Sequence, residues 1–442
     1  MKVKIRNAGI GVGIYLAILA NVWQQRSRKM MKAQTEINTS TIRNPNSALP
    51  EGWRWVRLGE VCEVIMGQSP PGYTYNKEGK GLPFYQGKIE FGNTYLMPAA
   101  IWCTEPKKIA ESNDILISVR APVGPSNLCK ERCCIGRGLA ALRPKKDVVS
   151  WFVFYYLRFI EEEISGLGQG STFSAISKSQ ISNLEVLLPP LLEQTRIAAK
   201  IQELMEEMER ARSACEKQLE AAKALPTAYL HQTFESEEAK KWERKKLGEV
   251  CEYDTGIWGE ESDSSEECYY VLRSNNIQNS KIVLNEIAVR KVSPTKAQSK
   301  KMQIEDILVT TSSGSRNLIG KCALFDIQDG KNYLFSNFTM RLKPKLSTIV
   351  PGFLFYYLLS PIAKYFLTQI QATTSGLRNL DRKKYVMQNI PLPPLPVQQH
   401  IALELKEKMT QVEKLRLSVE KQLEAINALP QAILRKAFRG EL

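Results

Sequence analysis

The sequence predicts an α+β protein with an internal pseudo-two-fold repeat: two mixed α/β globular segments separated by two long helices. Three observations predict it. Leu188–Phe234 recurs as Leu392–Phe438 at a constant offset of 204, with 23 of 47 positions identical and no gap. Within both copies the apolar residues step by four and three, the period of a helix that seeks a partner helix. Ahead of each copy, short β-rich runs punctuated by Gly and Pro lead into an aromatic helical run. The 442 residues suit two or three domains with ample core. A composition of 43% hydrophobic and 24% charged residues is that of a soluble globular protein.

Residues 1–49 read as a leader and linker. The apolar run Ala8–Trp23 is flanked by Lys2, Lys4 and Arg6 and by Arg26, Arg28, Lys29 and Lys32. A helix that spans a bilayer needs about 20 apolar residues, so this run is short, and no small-residue cleavage site follows it. Three readings stand: a weak membrane-associated helix, a basic amphipathic appendage, or the product of an upstream start, with Met30 or Met31 initiating instead. The sequence favours the last two together. Asn38–Pro50, rich in Asn, Ser, Thr and Pro, reads as linker.

Two globular segments follow, 50–187 and 237–391, and they match in order. Leu58-Gly59-Glu60-Val61 matches Leu247-Gly248-Glu249-Val250 at an offset of 189. Asp114-Ile115-Leu116 matches Asp306-Ile307-Leu308 at 192, Leu142-Arg143-Pro144-Lys145 matches Leu342-Lys343-Pro344-Lys345 at 200, and Phe154-Tyr155-Tyr156-Leu157 matches Phe355-Tyr356-Tyr357-Leu358 at 201. By Ser171 and Ser375 the offset has reached 204, where it stops drifting. Loops of the globular segments therefore accept insertions, whereas the repeated stretch is length-locked. Strands are expected at Ile115–Val119 and Ile307–Thr311, and helices at Trp151–Ile164 and Phe353–Ile370. Gly-bearing polar turns are expected at Gly166–Phe173 and Ala372–Asn379.

The repeated regions, 188–236 and 392–442, read as helices beginning near Pro190 and Pro394, which suit a first helical turn. One apolar seam runs Ile197, Ile201, Leu204, Met208 and on to Leu219; the other runs Ile401, Leu405, Val412, Leu415, Val419 and Leu423, with Lys408 an exception. Pro226 and Pro430 are expected to interrupt the helices ahead of a short apolar tail. Leu191–Leu225 as helix would extend roughly 50 Å at 1.5 Å per residue.

The net charge is +15, which favours a polyanionic partner. The repeated regions carry only −2 and +2, so basic character falls on the leader and the globular segments. Nine Cys are present; Cys62 and Cys251 occupy matching Val-Cys-Glu positions and read as buried strand residues. Cys103, Cys129, Cys133 and Cys134 lack the paired spacing of a zinc site, and with two His in the chain no metal is expected. Reduced thiols in a cytosolic protein are the plain reading. Gly79-Lys80 and Gly320-Lys321 miss Walker spacing and the hydroxyl that would hold magnesium. No dinucleotide fingerprint, hydrolytic triad or two-metal acid cluster is evident. Binding remains, and two mildly basic, loop-rich units held apart by helices suit duplex DNA, whose grooves recur about every 34–36 Å. A helical adaptor with two protein-binding modules is the rival reading, separable by salt-sensitive duplex binding.

The doubled Leu-Pro-Pro-Leu-x-x-Gln helix, the Leu-Gly-Glu-Val openings, Gly170-Ser171-Thr172-Phe173 and the terminal Phe438-Arg439-Gly440-Glu441-Leu442 together resemble the specificity subunit of type I restriction-modification systems. The resemblance covers about residues 50–442. It implies that each globular segment is a target recognition domain reading half of a split DNA site. It implies that the long helices form an antiparallel coiled coil, set the spacer and dock two methyltransferase subunits. Restriction-translocase subunits join through these. S-adenosylmethionine, ATP and magnesium belong to those partners, and this chain is not itself an enzyme. The second unit departs from the pattern at Thr374-Ser375-Gly376-Leu377. Residue type and loop placement nominate DNA contacts: Gln86, Lys88, Arg120, Gln169, Ser171 and Lys178 in the first unit, and Arg273, Asn275, Asn276, Ser313, Arg316, Arg378 and Lys383 in the second.

Overall fold

The protein is described by a computed structural model that covers residues 49, 51–168, 175–261, 268–314, 318–374 and 377–442. The chain divides into two compact units. One comprises Met1–Arg210 with Asn427–Leu442, the other Ala211–Ile426. The division falls inside both long helices, Leu191–Phe234 and Leu395–Ala437. Among the described residues no helix is long and apolar enough to cross a membrane. The Ala8–Trp23 run lies outside them.

In the first unit, strand Arg54–Arg57 pairs antiparallel with Glu185–Leu188, so the start of the globular segment is stitched to its end. Between them lies an antiparallel sheet in the order Cys62–Met66, Leu139–Pro144, Ile115–Ser118, Ser126–Leu128. Ile115–Ser118 is buried along its whole length, which is why Ile115, Leu116 and Ile117 are consecutively apolar rather than alternating. A five-stranded sheet in the order Tyr75–Asn76, Trp102–Cys103, Leu82–Tyr85, Cys133–Ile135, Ile109–Ala110 completes the unit.

The second unit repeats this plan. Arg244–Lys246 pairs with Asn389–Pro391, and the sheet order is Cys251–Thr255, Thr339–Pro344, Ile307–Thr310, Cys322–Leu324. Cys62 and Cys251 sit buried in corresponding strands. Burial pushes both thiols up to about 12, so they are inert core side chains.

The duplicated motifs have assignable structural jobs. Leu58–Val61 and Leu247–Val250 are single helical turns. Lys145 caps the first, its Nζ donating to the carbonyls of Gly59 and Glu60 at 3.1 and 3.0 Å, and Lys345 donates to the Glu249 carbonyl at 2.9 Å. The repeated Pro-Lys thus satisfies carbonyls that a short helix leaves unpaired. The repeated Gln is a staple. Gln194 Oε1 accepts the Val149 N–H at 2.9 Å, while its Nε2 donates to the Pro189 and Asp147 carbonyls at 2.9 and 3.3 Å. Gln398 does the same with Val350, Pro393 and Thr348 at 2.8, 2.8 and 3.2 Å. Each staple ties the start of a long helix to the start of an aromatic helix, Ser150–Phe159 or Pro351–Leu359. Both Gln side chains are buried. Gln194→Leu or Gln398→Leu should therefore cost about 2–4 kcal/mol in the unit concerned, because buried backbone groups lose their partners. Denaturant unfolding of the single variants checks this.

Asp114 and Asp306, also repeated, are buried beneath Arg side chains, but differently. Arg143 grips Asp114 with two hydrogen bonds of 3.1 and 2.9 Å. Arg341 instead spends its fork on Asp254, leaving Asp306 at 3.7 Å. Burial outweighs the Gln303 N–H and Arg341, and the Asp306 carboxyl is pushed up to about 6. Its proton is held more tightly folded than unfolded, so its stabilising contribution is complete below the ordinary carboxylate pKa of about 4. That contribution is lost as pH rises toward 6. Asp306→Asn should flatten the decline in stability of the second unit across that window, measured by thermal unfolding from pH 4 to 7.

The long helices correct three expectations. Pro226 and Pro430 do not interrupt them: the helices run through to Phe234 and Ala437. Each Pro forgoes one backbone bond, but Ala222, Leu230 and Phe234, and likewise Ile433, Leu434 and Phe438, are buried around them, and that packing outweighs the loss. Leu415 is not a seam residue. It is 45% exposed, while Val412 and Val419 are buried and Arg416 lies half-buried between its partners Glu413 and Glu420. The face turns by four there rather than three. Third, Ile197 and Ile201, like Ile401 and Leu405, pack into the core of a globular segment. Leu204 packs against the first of these cores as well, and Met208, Leu219 and Leu423 are half-buried farther along the two helices.

Within the second unit the two helices run antiparallel. Cys215 Sγ meets Gln422 Oε1 at 3.8 Å, and Lys408 Nζ sits 4.9 Å from the Tyr229 ring centre. The step from Cys215 to Tyr229 equals the step from Gln422 back to Lys408. Lys408, the exception in the seam, is held by that ring and by Glu404 at 2.6 Å.

The aromatic runs also differ from expectation. Each is two helices, Ser150–Phe159 with Glu161–Leu167, and Pro351–Leu359 with Pro361–Ile370. Pro361 disfavours helical geometry at Ser360, which is extended. Of Ala372–Asn379, expected as a turn, the described residues belong to two antiparallel strands, Gln371–Thr374 and Leu377–Leu380.

Candidate nucleic-acid interface

Each unit gathers its loops where the central strand, Ile115–Ser118 or Ile307–Thr310, runs out. In the first unit the Val119 N–H donates to the Gly138 carbonyl at 2.9 Å, and the Ile176 N–H donates to the Val119 carbonyl at 3.0 Å. Arg120 bridges to Ala175. The Gln68 N–H donates to the Ile135 carbonyl at 3.0 Å, and the Arg137 N–H donates to Ser69 Oγ at 3.4 Å. A Cβ at Gly138 would stand 2.1 Å from the Gln86 carbonyl oxygen, so only glycine lets that loop close onto Gln86. Five loops therefore meet; Gln68, Gln86, Lys88, Arg120 and Arg137 are exposed on them, and Lys178 is exposed at the start of the short helix that follows one of them.

Of the residues nominated by sequence, Gln86 and Arg120 lie on these converging loops, Lys178 opens the helix that follows one of them, and Lys88 stands in the turn that follows Gln86. Gln169 and Ser171 lie outside the described residues. Arg137 and Gln68 escaped the sequence reading. The signal was present for Arg137: the offset of 200 that relates Leu142 to Leu342 also pairs Arg137 with Asn337.

The second unit builds the same end from different side chains. The Thr311 and Ser312 N–H groups donate to the Phe338 carbonyl at 2.9 and 3.2 Å, and the Leu380 N–H donates to the Thr311 carbonyl at 2.8 Å. The Ile257 N–H donates to the Phe335 carbonyl at 2.9 Å. A Cβ at Gly256 would lie 2.1 Å from that same carbonyl oxygen. Asn337 and Phe338 are exposed on this end. Arg382, the first residue of helix Arg382–Val386, donates to Thr255 Oγ1, Thr311 Oγ1 and the Asn337 carbonyl at 3.1, 3.4 and 3.4 Å. Lys178 holds the first position of the corresponding helix Lys178–Ser182, so its counterpart is Arg382 rather than the nominated Lys383, which is exposed one residue on.

Arg273 follows strand Cys268–Leu272 and donates from Nη2 to the Glu286 carbonyl at 2.6 Å. Asn275 is exposed in the next turn. Ser313 pairs in register with Arg378 across the strands. Arg316 lies outside the described residues, and so does the side chain of Arg378. Asn276 is corrected: it is fully buried, accepts the Arg273 N–H at 2.9 Å and donates to the Val283 and Asn285 carbonyls at 2.9 and 3.1 Å. All of that bonding holds a loop, and no face of the amide reaches solvent.

Among the described residues no group of three or more His, Cys, Asp or Glu side chains is placed to hold a metal ion. Cys129 and Cys133 lie 3.3 Å apart, both fully buried, and their contact and burial drive the Cys133 thiol far above its ordinary range. What the loop ends offer is recognition chemistry: exposed Lys and Arg for phosphates, and Gln and Asn amides for base edges, on turns braced by backbone hydrogen bonds.

Comparison with known proteins bears on what those loops meet. The family model described as "Type I restriction modification DNA specificity domain" matches residues 50–218 and 239–427. A putative type I restriction enzyme MjaX specificity subunit of Methanocaldococcus jannaschii is 47% identical over 178 residues, 40% of this chain and 41% of that protein. In that match the chain therefore spans less than half of the relative's length. The type I restriction enzyme EcoKI specificity subunit of Escherichia coli K12 is 25% identical over 426 residues, 89% of this chain and 90% of the relative. Among solved structures, one reported under "Structural basis underlying complex assembly and conformational transition of the type I R-M system" shares the fold. Its TM-score is 0.66 at 23% identity, over 90% of this chain and 100% of that one.

Proposed function

Because the chain belongs to the type I restriction-modification DNA specificity family, we propose that it reads a two-part DNA site, one half with each loop cluster. The duplicated loop end carries this reading. One backbone plan is built twice, with Arg137 and Gln86 on one copy and Asn337 and Arg273 on the other, as expected of a reader of two different half-sites. Lys and Arg at the loop ends set register on the phosphates, and amides and guanidinium groups read base edges in the major groove. The antiparallel helices set the gap between the half-sites, and their outer faces dock two methyltransferase subunits, through which restriction-translocase subunits join. The chain itself performs no covalent step. S-adenosylmethionine, ATP and magnesium act on those partners, and the assembly works in the cytoplasm.

Co-expression with the cognate methyltransferase subunit, followed by mapping of methylated adenines in host DNA, tests the reading. A two-part motif with a fixed gap is expected; a short continuous motif, or no methylation, counts against it. Arg120→Ala and Arg137→Ala should each weaken binding to the cognate duplex by about 5- to 100-fold, the range of a lost base or phosphate contact. The loss should concern only one half-site. Unchanged affinity and motif in both variants would remove the assignment of this loop end.

A further inference from the structure

The turn after the parallel strand of each outer sheet carries chemistry that the general reading does not use. In the first unit the turn is Lys88–Glu90, preceded by Gly87. The Glu90 carboxylate accepts the Gln86 and Gly87 N–H groups at 3.4 and 2.9 Å, and the Glu90 carbonyl accepts the Met97 N–H at 2.9 Å. In the second unit the turn is Ser274–Asn276, preceded by Arg273. The Asn276 side chain accepts the Arg273 N–H at 2.9 Å, and its carbonyl accepts the Val283 N–H at 2.8 Å. Two bonds recur, the third side chain accepting the N–H ahead of the turn and the third carbonyl accepting an N–H seven residues on, so the tips correspond: Ile89 in one unit and Asn275 in the other.

Ile89 is 85% exposed. An isolated exposed apolar residue is ordinary on a protein surface. This one is different in three respects. It stands on a turn held by hydrogen bonds on both sides, it lies three residues from Gln86 at the loop end, and its counterpart is an exposed amide on the same frame. A fixed frame with an exchanged tip is the arrangement that changes specificity without changing the docking. In the major groove, thymine is told from the other bases by its C5-methyl group, which an apolar side chain contacts, whereas Asn pairs with the N6 and N7 edge of adenine.

Resting on the two-part reading above, we infer that Ile89 reads the methyl group of a thymine in the half-site of the first unit, and that Asn275 reads an adenine in the other.

The test uses the purified complex of this chain with its methyltransferase subunit and a duplex carrying the motif mapped for the unaltered protein. Each thymine of both half-sites is replaced in turn by deoxyuridine, which lacks only the methyl group. One replacement in a single half-site is expected to weaken binding by about 5-fold or more, the low end of a base contact. Ile89→Ala should abolish that sensitivity while leaving the response to changes in the other half-site intact, which also shows that the variant is folded. Ile89→Asn should shift the preferred base at the same position toward adenine. Asn275→Ala should relax one adenine in the opposite half-site. The inference is overturned if no thymine is methyl-sensitive, or if the sensitivity survives in Ile89→Ala. Absence of any two-part motif in the unaltered protein is a different outcome, which removes the underlying reading as well.

Discussion

Phe438→Ala, a change four residues before Leu442, is expected to destabilise the first unit by about 3–5 kcal/mol, the cost of emptying a buried aromatic site. Phe438 is 1% exposed, and its ring centre lies 5.4 Å from Phe152, 5.1 Å from Tyr156 and 5.3 Å from Phe159. Ile433, Leu434 and Ala437 are buried in the same core as Ile115, Ile117 and Leu142. The end of the chain therefore supplies one wall of the first unit. Amide exchange reads the effect locally: Ile115–Ser118 should lose protection while Ile307–Thr310 keeps it. The mirror experiment is Phe234→Ala, where the ring lies 5.4 Å from both Phe353 and Tyr357 and the loss should fall on the second unit. Equal exchange in the two strands of the Phe438→Ala protein would contradict this placement of the terminal helix.

On the proposed two-part reading, the second large effect is a change in the recognised DNA. Seven residues inserted in each long helix, after Glu220 and after Arg416, should widen the gap of the methylation motif by about three base pairs. Each helix grows by roughly 10 Å at 1.5 Å per residue, and duplex DNA rises 3.4 Å per pair. Seven residues are one heptad, so the apolar seam keeps its phase. Both insertions are needed because the helices pair antiparallel. Counting along from Cys215 and back from Gln422 places the two insertion points opposite one another. An insertion after Glu220 alone, even of four residues, moves Tyr229, Leu230 and Phe234 away from Lys408 and the core they complete. That protein should be destabilised rather than given a longer reach. Methylome mapping of the doubly inserted protein decides the matter: both half-sites unchanged with a wider gap supports the spacer, and an unchanged gap abandons it.

Particular residues show how much was legible beforehand. The repeat made Gln194, Lys145 and Asp114 conspicuous, because each recurs at the local offset. Their tasks depended on partners distant in sequence: Val149 for Gln194, and Gly59 for Lys145. The loop end was partly visible, since Arg120 and Gln86 are polar residues on Gly- and Pro-marked loops. Asn276 had the same credentials and is buried, because residue type does not say whether an amide faces solvent or its own backbone. Leu415 satisfied a seven-residue spacing yet faces out, since an apolar period sets which residues can share a face, and the partner helix chooses among near-equivalent faces.

The sequence by itself determined the duplication, the helical character and locked length of the repeated regions, and the matching order of the globular segments. Those are properties of local spacing and composition, carried within a few turns of chain. The tertiary structure decided which helix end completes which core, which Pro a helix tolerates, and which polar side chains are spent on loops rather than left for a ligand. Such outcomes depend on burial by residues hundreds of positions away, and burial is what outweighs a local preference of a kcal/mol or two.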